Sequence, residues 1–300
     1  MREATWINQG VDVKQCQNIN DVLEAAGLNY NVISRPLQYK FGTEVFEVPE
    51  KVINIKEDQP DHVFGVVTNE YHIVQNKEAF DFVNGIDEDL KFLKAGETRN
   101  GLIYIITELP ELEVLGDKIK PNIIFQNSHN AKSGVKANIC MLRIVCQNQF
   151  AYAFRNATNS INIRHSSGTI NARMAEARNV LSNTYEYIAN YKWNAEKLAG
   201  KHITDSDLQK VISEMLLKGK SIEEKTEAES AKVDAFMNAY RHEDNANFTG
   251  TAWGLVNAWT DYSTHIAPKR DTNTFEETRF ITNSLNNRPL EKLMEMVEGF

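Results

Sequence analysis

Between Asp117 and Glu176 the chain contains no Asp and no Glu, although 41 acidic residues in 300 would place about eight there. The same interval carries Lys118, Lys120, Lys132, Lys136, Arg143, Arg155, Arg164 and Arg173, with His129 and His165. The whole chain has a formal net charge of −8, so the remainder, with 25 basic and 41 acidic residues, stands at about −16. Two readings compete. An acidic protein that keeps one long acid-free basic segment holds a surface for an anion, phosphate first. A segment that is largely buried strand excludes carboxylates anyway. The Asn, Gln and aromatic content of the segment favours the anion reading, because nucleic-acid surfaces share it.

Other absences narrow the field. Cys16, Cys140 and Cys146 are too few, and odd in number, for a disulfide framework, which points to a reducing compartment. No run reaches the length of a membrane helix, and the first residues lack the apolar core of a signal peptide, so a cytoplasmic protein is expected. Neither a Gly-x-x-x-x-Gly-Lys loop nor Gly-x-Gly-x-x-Gly is present, which disfavours a nucleotide motor or a dinucleotide enzyme. The histidines are scattered, Cys140 and Cys146 are six apart, and the acid-free segment lacks the carboxylates a magnesium nuclease needs. No metal and no cofactor is expected. The net charge argues against binding duplex DNA over the whole surface, so any nucleic-acid contact must be local.

Strand patterns dominate the first half. Tyr30 to Ser34, limited by Pro36, then Val45 to Val48 and Val52 to Ile55 on either side of Pro49-Glu50, read as strands, the latter two as a loose hairpin. Val63 to Thr68, Tyr71 to Val74, Leu102 to Thr107, Ile123 to Phe125 and Ile139 to Cys146 follow. Asn20 and Asn76 are placed to cap short helices. After Gly168 the period becomes helical, from Met174 to Leu198, then from Thr204, over Glu223 to Tyr240, over Thr251 to His265, and from Pro289. The expected class is α+β: an α+β domain at 1–170 with a curved mixed or antiparallel sheet, carrying the acid-free segment 118–175, and a mostly helical part at 171–300 packing on it.

Candidate site residues lie mostly in the acid-free segment. Cys146 could act as a nucleophile with His129 or His165 as base, but Cys140, Leu142, Ile144 and Cys146 share one strand face, which reads as core. Arg164-His165-Ser166-Ser167-Gly168 sets cations and hydroxyls directly before a helix, an arrangement suited to phosphate. Phe125, Phe150, Tyr152 and Phe154 lie among the cations, and of these Tyr152 is the candidate for stacking on bases.

Five ordered segments resemble the phage/plasmid-like protein family, domain of unknown function 932. They are Val74 to Phe80, Asn127-Ser-His129, Arg143 to Asn148, Arg164-His165-Ser166, and Thr251 to His265. The resemblance runs from about Ala25 to the C-terminus. It implies a mobile-element protein of the bacterial cytosol, with DNA metabolism as its setting, and supplies no established reaction. The family commonly has Asp after the His of its Ser-His motif, where this chain has Asn130. A role of that Asp as acid or ligand would be lost here.

The function expected from these readings is binding of single-stranded DNA, as in strand annealing for phage recombination. Lys132, Lys136, Arg143, Arg155, Arg164, His165 and Arg173 would meet phosphates, Asn127, Gln147 and Asn148 would contact sugar or base, and Tyr152 would stack. Homo-oligomerisation follows from that scheme, since one groove must continue across subunits. Two alternatives stand beside it. One is a nucleic-acid-directed enzyme using His129, His165 and Cys146. The other is a module that neutralises a host defence protein through Glu223, Glu224, Glu227, Glu229 and Asp234, acids that also suit a plain solvated helix face.

Overall fold

Alternating apolar residues and turn signals give way to helical periodicity near residue 170, and the chain folds in that order. A computed structural model describes residues 10–86, 90–143, 148–153, 158–162, 170–267, 277–285 and 287–300, with the side chains of 148, 170–174, 176 and 177 outside that description. An eight-stranded antiparallel sheet is built from β1 (Val11–Asp12), β5 (Lys91–Glu97), β6 (Leu102–Glu108), β8 (Asp117–Ser128), β9 (Lys136–Arg143) and β10 (Asn148–Phe150) in that spatial order. In it β7 (Leu112–Val114) pairs with β8, and β11 (Ser160–Asn162) pairs with β9. A separate three-stranded sheet holds β2 (Val32–Phe41), β3 (Glu44–Lys56) and β4 (Gln59–Thr68). The α+β class expected from sequence is the observed one.

The large sheet is covered on both faces. Ala137, Ile139 and Met141 of β9 join Ile123 and Phe125 of β8 in the main core, which continues into the helices. Cys140 points to the opposite face, into a smaller cluster with Tyr104, Ile106, Ile124 and Phe280. Strands buried on both sides read as continuous apolar runs, as Ile103 to Ile106 does.

Helices α3 (Ile170–Ala199), α4 (Asp205–Leu216), α5 (Glu227–Tyr240), α6 (Ala252–Asp261) and α7 (Arg288–Glu298) form the second layer. Thr204 and Thr226 each open a helix with a capping box, closed by Asp207 and Glu229. Every residue of α6 is buried, and the helix packs against α3, α5, α7 and β10. It continues as a π-helical turn at Tyr262–Ile266.

Several local expectations are corrected. Pro36 does not end β2, because β2 is an edge strand where a missing N–H is tolerated, and the register shifts beside it. The hairpin is formed by β2 and β3 around Gly42, at φ 63°, and not at Pro49-Glu50, where β3 stays one strand with Glu50 at φ 58°. Tyr71 to Val74 forms no strand. Asn18, not Asn20, caps α1 (Ile19–Ala25), accepting from the N–H groups of Asn20 and Asp21. Asn76 opens α2 (Asn76–Phe80) without capping it, since its side chain is drawn inward to donate to the Leu28 carbonyl at 3.0 Å.

The packing of α6 rests on a glycine. A Cβ added to Gly254 would lie 2.1 Å from the Phe248 carbonyl oxygen, a backbone atom that no rotamer change can move. Gly254→Ala is therefore expected to lower unfolding stability by about 1–3 kcal/mol, read from urea midpoints at unchanged slope.

Candidate functional site

The end of β8 and the loop that follows it join the two sheets. Asn127 donates through Nδ2 to the Val74 carbonyl and to Asn76 Oδ1, both at 3.1 Å. His129 Nε2 lies 3.1 Å from the same Asn76 oxygen, and since that oxygen only accepts, the imidazole proton sits on Nε2. From the small sheet, Asn54 Nδ2 donates to the His129 carbonyl at 2.7 Å. Tyr71 donates to the Ser128 carbonyl at 3.0 Å. Asn130 donates to the Asn100 carbonyl at 2.8 Å and accepts the Lys132 N–H at 3.0 Å. The small sheet comes close enough to do this because β4 has Gly65 over Asn130, where a Cβ would stand 3.1 Å from the Asn130 Cβ. Glu97 of β5 adds a second tie, accepting from Tyr30 and pairing with His62 of β4, each at 3.0 Å.

This network is closed to solvent. His129 is fully buried, edge-on to Phe64 at 5.0 Å between ring centres, and its Nδ1 has no partner among the described residues. Burial holds its pKa down to about 4, so the ring is neutral at pH 7. A base that no substrate can reach carries no chemistry, and the catalytic expectation for His129 is corrected to a structural one. Asn130 likewise uses its amide donor on a carbonyl, a bond that an ionised Asp could not make.

Beyond the network the same loop opens a groove of about 420 Å³. Tyr71, His72, Lys132, Lys136 and Asn162 are among its lining residues, and among the described residues no carboxylate lines it. The turn at Ala131, with φ 60°, delivers Lys132 to this rim. Neither lysine forms an ion pair among the described residues. Two other grooves differ in this respect. One joins Lys14 and Lys91 to Glu108, and the other surrounds Arg143 with Asp244 and Asp261.

The remaining expected site residues do not converge on the groove. Arg143 is buried, with Nε 2.7 Å from Asp117 and Nη2 donating to the Asp244 carbonyl at 2.6 Å. It ties β9 to the α5–α6 connection, and the phosphate role expected for it is corrected. Lys118 pairs with Glu111 at 2.9 Å and Lys120 with Glu108 at 3.2 Å. Tyr152 is half-buried and lies beside Phe150, at 6.2 Å between ring centres, and its backbone N–H donates to Tyr187. Burial raises the Cys140 thiol to about 12, which leaves it inert. Cys146, Gln147, Arg155, Arg164 and His165, and the side chains of Asn148 and Arg173, lie outside the described residues. No cluster of three or more metal-binding side chains occurs among the described residues. Of the acids on and before α5, Glu229 is already committed to Thr226 and Lys220.

The sequence profile of a family described as a domain of unknown function (DUF932) matches residues 63–285. The chain belongs to this family. All five resembling segments fall inside the match, which begins at Val63 within β4 and not near Ala25. Two of them, Val74 to Phe80 and Asn127 to His129, meet in the buried network, so these family-like residues are fold-forming. No curated protein and no solved structure matches the chain.

Asn54, Tyr71 and His72 were not singled out from sequence. Asn54 offered a signal, an amide in the middle of the β-branched run Val52 to Ile55.

Two consequences are measurable. The unfolded imidazole titrates near 6.5 while the folded one stays neutral down to about 4. The contribution of His129 is therefore complete above pH 6.5 and is lost as pH falls toward 4, by roughly 3 kcal/mol in all. His129→Gln should flatten that part of the pH–stability curve in urea titrations. Asn130→Asp should cost about 1–3 kcal/mol at neutral pH, and less under mildly acid conditions where the new carboxyl is protonated and can donate to Asn100.

Proposed function

We propose that the protein binds single-stranded nucleic acid through the groove beside residues 131–136. It would act as an accessory DNA-metabolism protein of a phage or plasmid, pairing or protecting strands in the bacterial cytoplasm. The observation that carries this reading is the groove's charge. Lys132 and Lys136 face it, no carboxylate among the described residues lines it, and the rest of the chain is strongly acidic. A polyanion is drawn to such a place and repelled elsewhere. The exposed His72 and half-exposed Tyr71 offer ring faces on the same rim, taking the stacking role first assigned to Tyr152. Asn127 and Ser128 close the floor of the groove with their polar groups already engaged inside the protein. Asn162 on β11 adds a second amide to the lining. The resemblance to phage/plasmid-like proteins supports DNA over other polyanions.

A labelled oligonucleotide followed by fluorescence anisotropy across a salt series tests the reading. Affinity should fall with added salt, and Lys132→Gln and Lys136→Gln should each reduce the slope by about 1. Absence of binding at low salt, or a slope near zero, would overturn it. Arg143→Gln separates the groove from the buried strut. It should lower stability by about 3 kcal/mol, because Asp117 loses its partner, while folded protein keeps wild-type affinity and salt slope.

A further inference from the structure

The inner face of the small sheet rests on the 127–130 network. Its outer face carries Val63 at 49% and Val66 at 51% exposure. Pairing register places Ile33, Ile55 and Val63 in one cross-strand row, and Arg35, Ile53 and Val66 in the next. A solvated face of an antiparallel sheet ordinarily reads polar, whereas this one is aliphatic across all three strands in one row and on β3 and β4 in the next, where β2 supplies Arg35 at the edge. The β2–β3 hairpin extends the same apolar surface, with Tyr39 stacked on Phe46 at 5.5 Å and Phe41 at 76% exposure.

We propose that this outer face is the docking surface for a second copy of the chain, packed sheet on sheet about a two-fold axis. The charges choose the partner. On the β3 segment the aliphatic rows are bounded by Lys51 within the strand and by Glu57 just past its end, where Glu57 accepts from Asn31 at 3.0 Å, each two residues from an outer-face isoleucine. A two-fold axis lying across the strands, between Ile53 and Ile55, reverses strand direction in the second copy. It sets Lys51 of each copy over Glu57 of the other, apposes Ile53 to Ile55 and Val66 to Val63, and leaves Arg35 beside Ile33 at the β2 edge, where its guanidinium reaches solvent. A nucleic acid fits badly, since residues 32–68 hold four basic and six acidic side chains. Edge-to-edge pairing is disfavoured as well, because β2 carries Pro36 and β4 carries Pro60, neither with an N–H to give. The face is separate from the proposed nucleic-acid groove, and most of it precedes the family match at residue 63. It therefore does not rest on that reading.

Sedimentation velocity of the full chain at tens of micromolar tests this. Wild type should sediment as a dimer. Val66→Asp, checked for folding by circular dichroism, should weaken association about a hundredfold. Lys51→Glu and Glu57→Lys should each weaken it at least about tenfold, since each alone makes two like-charge contacts. An equimolar mixture of those two variants should regain wild-type association, because both contacts become opposite-charge pairs. A monomeric wild type, an undiminished Val66→Asp dimer, or a mixture no tighter than its components would each overturn the proposal. Loss of oligonucleotide binding by Lys132→Gln with the dimer intact, or the converse, keeps the two proposals apart.

Discussion

The arrangement of this molecule depends on a buried group of amides and one neutral imidazole that hold two sheets together. Asn54 and Asn76 reach in from separate elements to His129 and Asn127 at the end of the longest described strand of the large sheet, and Asn130 ties the same loop to the Asn100 carbonyl. Each buried hydrogen bond contributes only about 1 kcal/mol net, yet leaving any of these groups unpaired costs more than that. The network therefore specifies one placement of the small sheet more than it adds stability. It also fixes the backbone from which Lys132 and Lys136 are displayed. The groove exists because the residues just before it cannot move.

The absence of acids from 118–175 has two physical sources, and the fold separates them. Most of β8 and β9 is buried on both faces, where carboxylates would be excluded whatever the protein does. The cations at the strand ends are matched by carboxylates that come from just outside the interval, Glu108, Glu111 and Asp117. What remains as a positive feature among the described residues is the short loop between the strands. Among the described residues, the cations of the interval that line a common groove without an ion pair are Lys132 and Lys136.

Charge also organises the opposite side of the molecule. The outer face of the small sheet carries Lys51 and Glu57 at opposite ends of its central strand segment, with aliphatic residues between. Such a pattern is self-complementary under a two-fold axis and is poorly suited to a polyanion. Two surfaces of different character lie on the two sides of one buried network, so a change in that network would disturb both.

Much of the architecture was legible in the sequence because it rests on local chemistry. The α+β class, the capping box at Thr204, the strand from Leu102 and the long helix ending at Gly200 all follow from period, hydroxyl caps and glycine stops, which act within a few residues. The errors came where a distant neighbour overrode the local signal. Pro36 was read as a stop because nothing in the sequence says that β2 lies at an edge. Asn76 was read as a cap because its partners, Leu28, Asn127 and His129, lie some fifty residues away. Composition by itself determined that any anion site must be confined to a small part of an acidic chain. Only the tertiary structure decided which cations remain free to serve it, because a guanidinium such as that of Arg143 is neutralised by whatever carboxylate and carbonyl the fold brings beside it, and sequence order does not record that proximity.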